Sequence, residues 1–268
     1  GPAKVILNEV NSPKQSVLQG FLEVAGTKAH VVVANPSGIT CNGCGFINAH
    51  RASLSTGIPQ VNSAGVLEHL LVEEGTISIE SDLGLDPHTA TNYDIISRSV
   101  RLAGKLRADK VRVVAGAGDL NTQTGKVRLI NGKGDKPTIA VDIGSHHSIH
   151  SSSIWFLINE DSVFKQDGQI YGENELRVNS KGEVFLGGSL TSPHRVEMHS
   201  RKVTNFGEIN ALVAELKAEE ALENRGLIRG DERLSIDATD YLLNQGTLTG
   251  GITRVDTNTL NNEHTGMI

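Results

Sequence analysis

Five glycines, Gly168, Gly188, Gly207, Gly226 and Gly246, recur at intervals of 20, 19, 19 and 20 residues, and this period constrains the fold more than any other feature of the 268-residue chain. Two positions after each comes an aliphatic residue: Ile170, Leu190, Ile209, Ile228 and Leu248. Alternating pairs follow: Leu176-Val178, Val196-Met198, Leu216-Ala218, Leu234-Ile236 and, one residue later, Val255-Thr257. Val184, Val203, Leu222 and Leu242 supply a third apolar site. Alternation with period 2 marks short strands with one buried face. Three such strands cannot bury that face alone, but stacked copies enclose a continuous core. The repeat therefore predicts an all-β chain, a right-handed parallel β-helix with coils of about 20 residues, the hand following from the near-universal handedness of parallel crossovers. At ~4.8 Å per coil, about thirteen coils would form a rod roughly 60 Å long.

Asn205, Asn224 and Asn244 stand just before the last three glycines, and Asn261-Asn262 opens a further repeat. Stacked asparagines at one corner tolerate left-handed backbone geometry and can bond to their copies as an amide ladder, so these three are read as structural. Ala211 to Asn224 (ALVAELKAEEALEN) is rich in helix formers. The glycine and apolar register runs through it unbroken, and tertiary context overrides local propensity, so a β-coil is expected there.

Composition agrees with a thin repetitive architecture. Hydrophobic residues make up 38% and aromatics only 4%, with 29 glycines, so the core must use small and β-branched aliphatic side chains. A formal charge of -6 supplies no positive field for phosphate backbones, which argues against nucleic acid as a partner. Apolar runs such as Val31-Val32-Val33-Ala34 fall far short of the ~20 residues that span a bilayer. The opening GPAKVILNEV lacks a basic and an apolar signal region, so an export signal is expected upstream or already removed.

Asn35-Pro36-Ser37-Gly38, then Ile39 and the run Cys41-Asn42-Gly43-Cys44-Gly45-Phe46-Ile47-Asn48, closely resembles the secretion domain of two-partner exoproteins. That family includes filamentous haemagglutinins, haemolysins of the same pathway and contact-dependent growth inhibition toxins. The tetrapeptide is similar to the family's Asn-Pro-Asn-Gly motif, with Ser37 in place of an asparagine. The similarity continues through GVLEHLLVEEGTISI and IISRSVRLAGKLRADKVRVVAGAGDLN to AVDIG, about the first 145 residues. Units after about Gly168 resemble haemagglutinin repeats with a loose NxGxI core. The resemblance implies a secretion domain over 1–150 and haemagglutinin-type repeats continuing the β-helix over 151–268. It further implies a secreted or surface-exposed protein of a Gram-negative bacterium, an adhesin, haemolysin or toxin. Export would run through the periplasm, where the periplasmic domains of a cognate outer-membrane transporter would recognise Asn35, Pro36, Ser37, Gly38, Ile39 and Asn48. A host or target-cell receptor is a further implied partner. Two departures accompany Ser37: the family's asparagine-rich upstream stretch is not in this sequence, which implies weak transporter binding, and His146-His147 with His150 replace a small Gly-rich stretch.

The residues support this reading independently. Pro at the second position and Gly at the fourth make Asn35-Pro36-Ser37-Gly38 a β-turn that ends the preceding strand, with the asparagine capping it at low cost to the fold. It is either only a turn or also a recognition element. Asn42-Gly43 between two cysteines is a two-residue hairpin signal, and opposed hairpin residues lie ~5.5 Å apart, within disulfide range. A disulfide-clamped hairpin, Cys41 to Cys44, is expected. A redox site would want a helix N-terminus, and zinc two further ligands; neither context is visible.

Enzyme readings rank lower. Asp142, His146, His147 and His150 could hold a metal only on a helix, and Gly144, Ser145 and Ser151-Ser152-Ser153 argue against one, so the histidines are read as exposed loop residues. Gly116-Ala117-Gly118 and Gly132-Lys133-Gly134 lack the rest of a phosphate-binding fingerprint and are read as turns. A β-helix can host polysaccharide-active enzymes or carbohydrate-binding modules, with carboxylates or a basic residue at equivalent coil positions. No such column emerges from the repeats. No catalytic residue, cofactor or metal is expected.

Overall fold

The computed structural model describes residues 3–83, 90–263 and 266–268, and among them every regular element is a β-strand. Eighteen strands join in one continuous sheet whose pairings are all parallel, wound as a β-solenoid of about 12 turns. One inward column shows why. Val31, Ala52, Tyr93, Val111, Ile154, Leu176, Val196, Ala214 and Leu234 are successive register partners, one per coil. All are buried. Each fully buried aliphatic contributes about 1.5–3 kcal/mol relative to exposure, so a row of them outweighs any local preference. The helix-forming stretch accordingly lies within the 17-residue strand Glu208–Asn224.

The register differs in one respect from the repeat alignment. Val196-Met198 faces Ala214-Leu216, not Leu216-Ala218, and Leu234-Ile236 faces Thr253-Val255, not Val255-Thr257. The corner after Ile209 holds one residue fewer than the corner after Leu190, a shift absorbed between Ser192/Arg195. A slip of two residues leaves side-chain parity intact, so the same residues still point inward.

The glycine column is steric. A Cβ on Gly188 would stand 1.9 Å from the carbonyl oxygen of Gly168, one on Gly207 1.9 Å from that of Gly188, and one on Gly226 2.0 Å from that of Gly207. The backbone of each coil occupies the space a side chain of the next would need. Beside this column, Asn205 Nδ2 donates to Asn224 Oδ1 (2.8 Å), Asn224 to Asn244 (2.9 Å) and Asn244 to Asn262 (2.7 Å). Asn205 and Asn224 also donate to the carbonyls of Gly207 and Gly226, so these buried amides are satisfied on both sides. They keep ordinary φ, against the left-handed geometry expected for them; among the described non-glycine residues only Asn48 has positive φ, at 56°. The Gly-bearing pair after each asparagine makes the corner, which leaves the asparagine extended and inward.

A second, antiparallel sheet of four strands, Ile58–Val61, Leu67–Val72, Gly118–Asn121 and Val127–Leu129, lies outside the solenoid. Its Leu70, Val72 and Leu120 cover the outward-facing Val32, Ile96 and Val114 in a separate core. A buried pair, Arg98 Nη2 to Glu160 Oε1 at 3.2 Å, ties the following loop down, because Arg98 Nη1 also donates to the carbonyls of Glu73 and Lys133.

Ile236 is buried in the stacked rows of the apolar core. Ile236→Asp should destabilise the carboxy-terminal half by about 3–5 kcal/mol, the cost of an unpaired buried carboxylate. Urea unfolding measures this, and a midpoint equal to wild type would mean the inward row is misassigned.

Candidate functional site

The strand Ala29–Ala34 ends where Pro36, lacking an N–H, cannot continue a ladder. Gly38 N donates to Asn35 O at 3.0 Å to close the turn, and Ser37 N donates to Asn35 Oδ1 at 2.9 Å. Gly38 has φ 112°, which a side chain would strain. The turn is held from both neighbouring coils. On one side Asn35 Nδ2 donates to Lys14 O (2.9 Å) and Ser16 Oγ (2.8 Å); on the other, a Cβ on Gly75 would lie 2.5 Å from Pro36 O.

Asn35 is therefore wholly buried, as is Ile39. This corrects the expectation that the asparagine caps an exposed turn at little cost: its amide joins two coils. Ser37 is the exposed residue of the turn, with Pro36 half-buried. Asn48 stands at the far end of the strand Ile39–Ile47, and its Nδ2 donates to the carbonyls of Val24 and Gly26, both at 2.7 Å. The residues expected to be recognised thus divide between two corners of the coil.

Cys41 and Cys44 are joined by a disulfide, with Cα atoms 5.3 Å apart. The local backbone is not a hairpin. Ile39–Ile47 is one parallel strand paired with Ser16–Glu23, and Leu18 faces Cys41 while Gly20 faces Cys44. Two residues, Asn42 and Gly43, therefore stand against one, so the cysteines bracket a β-bulge whose tip takes a positive φ at Gly43. The hairpin signal marked a real excursion, but parallel pairing on both sides leaves no return strand.

Asp142, His146, His147 and His150 do not converge, and no cluster of three or more potential metal ligands occurs among the described residues. His150 lies on the strand Ser148–Ile158, not in a loop; it packs edge-on to Tyr171 and meets Glu173 at 3.2 Å.

A charged cluster escaped the sequence reading. Asp94 is buried on the outward side of the sheet, where Arg51 and Arg112 donate to its carboxylate through Nε, the latter at 2.9 Å, and Ser53 Oγ donates at 2.9 Å. Burial pushes this carboxyl up, but the Arg51 hydrogen bond and the two guanidinium charges overcome that and hold it below the usual range. His30 Nε2 lies 2.8 Å from Ser53 Oγ; burial, reinforced by the Arg51 charge, lowers its pKa to about 4. Asp in the apolar run Tyr93-Asp94-Ile95-Ile96 was the available signal, but its partners are 43 and 18 residues away and only the register brings them together.

Fold and site define a parallel β-solenoid whose Asn35 turn is built into the stack of coils. The chain belongs to the two-partner secretion domain family: the TPS secretion domain model matches residues 1–186. It is 42% identical over 191 residues to a tRNA nuclease CdiA of Escherichia coli (strain STEC_O31), covering 71% of this chain and 6% of that protein. It is 34% identical over 253 residues to a Toxin CdiA of Yersinia pestis, covering 93% and 6%. The crystal structure of a filamentous hemagglutinin secretion domain shares the fold, with TM-score 0.60 and 24% identity over 88% of this chain and 75% of that one. The chain thus spans about 6% of the length of these CdiA relatives. Proteins of this family are secreted or surface-held in Gram-negative bacteria and use a partner outer-membrane transporter. No helix among the described residues is long and apolar enough to cross a membrane.

Two outcomes follow from this geometry. Asn35→Ala should cost about 2–4 kcal/mol, because it removes three side-chain bonds and strands the Lys14 carbonyl, whereas Ser37→Ala should cost under about 0.5 kcal/mol. Chemical denaturation distinguishes them, and equal midpoints would contradict the buried role of Asn35.

His30 has a folded pKa below its unfolded value of 6.5, so the unfolded chain binds more protons between pH 6.5 and about 4. The stability linked to this group is present above pH 6.5 and lost as pH falls through that window, by roughly 2 kcal/mol. His30→Gln should flatten the difference. Proton NMR finding that the His30 ring titrates above pH 6 would refute this.

Proposed function

We propose that this segment is the part of a large secreted exoprotein that the periplasmic domains of its transporter recognise during export, and that it then stands at the cell surface as the base of an adhesive or toxin-delivering filament. The family match over residues 1–186 carries this reading. The relatives named as toxins and tRNA nucleases support a parent of the growth-inhibition type, with any nuclease outside the matched stretch. On this reading residues 1–150 serve export, and 151–268 are haemagglutinin-type repeats that extend the rod toward a target-cell receptor. The chain itself has no catalytic role. A polysaccharide-active enzyme is not favoured, because the repeats carry no column of carboxylates at equivalent coil positions, and Glu215, between Arg195 and Arg233 of the adjoining coils, is held in ion pairs.

In the turn, the surface that a partner can touch is Ser37 with the edge of Pro36, while Asn35, Gly38 and Ile39 set its direction from inside. Ser37→Lys in the full-length parent, co-expressed with its transporter, should lower the secreted fraction several-fold while the purified domain keeps its thermal midpoint. Normal secretion of that variant would leave the turn a purely structural corner.

A further inference from the structure

The cluster around Asp94 does more than hold the coils. Arg51 and Arg112 both meet its carboxylate through Nε, and no hydrogen bond or ion pair among the described residues uses their terminal Nη nitrogens. One buried carboxylate thus fixes two guanidinium groups by their backs and leaves their donor forks without a hydrogen-bond partner among the described residues; Arg51 is the more open, and Arg112 Nη1 lies against the Gly125 turn. Lys110, two residues before Arg112 and in register with Ser153, is exposed and makes no ion pair among the described residues. Trp155 is the register partner of Arg112; the residue is 43% exposed, and Nε1–H donates to Glu175 at 3.0 Å, which fixes its orientation. These side chains line a concavity of about 220 Å³.

Three cations face one carboxylate here, on a chain whose formal charge is -6. Elsewhere on the same face basic residues meet carboxylates in comparable number: Arg177 meets Glu175, Arg195 meets Glu197 and Glu215, and Arg233 meets Glu215. The local excess of positive charge is therefore not the ordinary texture of this surface. Arginine and tryptophan are the residue types that dominate binding energy at protein interfaces, most of all when held rigid. We propose that this concavity binds an acidic segment of a partner protein, whose carboxylates meet the Arg51 and Arg112 forks and the Lys110 ammonium while an apolar side chain lies on Trp155. Arg51 to Trp155 spans four neighbouring strands, or roughly 14 Å, the reach of four or five residues of extended peptide. The Asp94 carboxylate is the positioning group, because it sets both forks before any ligand arrives. This assignment stands apart from the export reading, since it rests on a different face and different residues.

The chain's single tryptophan lies in the concavity, so its fluorescence reports occupancy directly. The purified 268-residue chain is titrated at low ionic strength with a blocked peptide of about eight residues alternating glutamate and leucine, long enough to cross the site. A saturable blue shift is expected, absent with the glutamine counterpart and weakened in roughly 0.5 M salt. Lys110→Gln, at an exposed position, should keep the wild-type thermal midpoint and weaken binding about tenfold, as for loss of one charge-assisted contact. The proposal is overturned by an unsaturable response, by equal binding of the glutamine peptide, or by wild-type affinity in Lys110→Gln. Tighter saturation by oligogalacturonate than by the peptide would overturn it too, assigning the site to an acidic saccharide.

Discussion

Everything in this molecule depends on one distance, the ~4.8 Å between hydrogen-bonded parallel strands. A coil has no partner within itself for its backbone N–H and C=O groups; they bond to the coil above and the coil below, and each break would leave buried polar groups unpaired. Corners must therefore superpose as closely as strands do. Where they turn most tightly, the carbonyl of one coil fills the Cβ space of the next, and Gly188, Gly207, Gly226 and Gly246 follow. Beside them a buried polar side chain needs partners, and from Asn205 to Asn262 each asparagine finds one in its copy on the next coil. The same column holds Ile143, Gln166 and Leu186 in the coils before, where the lone Gln166 donates its amide to the carbonyls of Gly168 and Ser189 instead of to a copy of itself.

The same constraint decides what the Asn35 turn can be. A turn in a solenoid is covered above and below by other turns, so most of its chemistry faces its neighbours. Asn35 spends its amide on Lys14 and Ser16 and its carbonyl oxygen on Ser37, and only the last of these bonds is local to the turn. A tetrapeptide that resembles a recognition motif is thus first a joint between coils. What remains for a partner is the shape that the joint imposes on Ser37 and Pro36.

Period and parity were legible because stacking writes them into every coil. The inward residues came out correctly even where the alignment slipped by two, since a two-residue slip preserves the face. The slip itself was illegible: Ala214 is as buried as Val196, but small residues carry little weight in an apolar pattern. The bulge at Asn42-Gly43 read as a hairpin because local turn chemistry is the same in both, and only the strand on its far side distinguishes them. The outer antiparallel sheet was missed for a related reason. Its strands come from two insertions, residues 58–72 and 118–129, that fall between coils and break the 20-residue period rather than repeat it. The Asp94 cluster needed the register of four strands at once, information that no local window contains.

Coil-by-coil contact also bears on how such a chain reaches its folded state. In a solenoid each unit touches only its neighbours, so structure can nucleate on one coil and grow by adding the next. Loop closure for each addition spans only about 20 residues, and its entropic cost stays the same however long the rod becomes. From Ser189 to Asn262 the strand pairing follows this description: each strand pairs with the strand of the adjoining coil, and a surface contact such as Arg201 to Asp161 reaches one coil further. The amino-terminal part departs from it. Arg98 reaches Glu160 across 62 residues, and His69 reaches Asp119 across 50, through the outer sheet. These ties can close only once several coils exist, so neighbour-by-neighbour growth accounts for the second half more fully than for the first. A chain that emerges end-on at a surface can use both behaviours: a first half tied across coils, and a rod that lengthens from it without reopening what is already stacked.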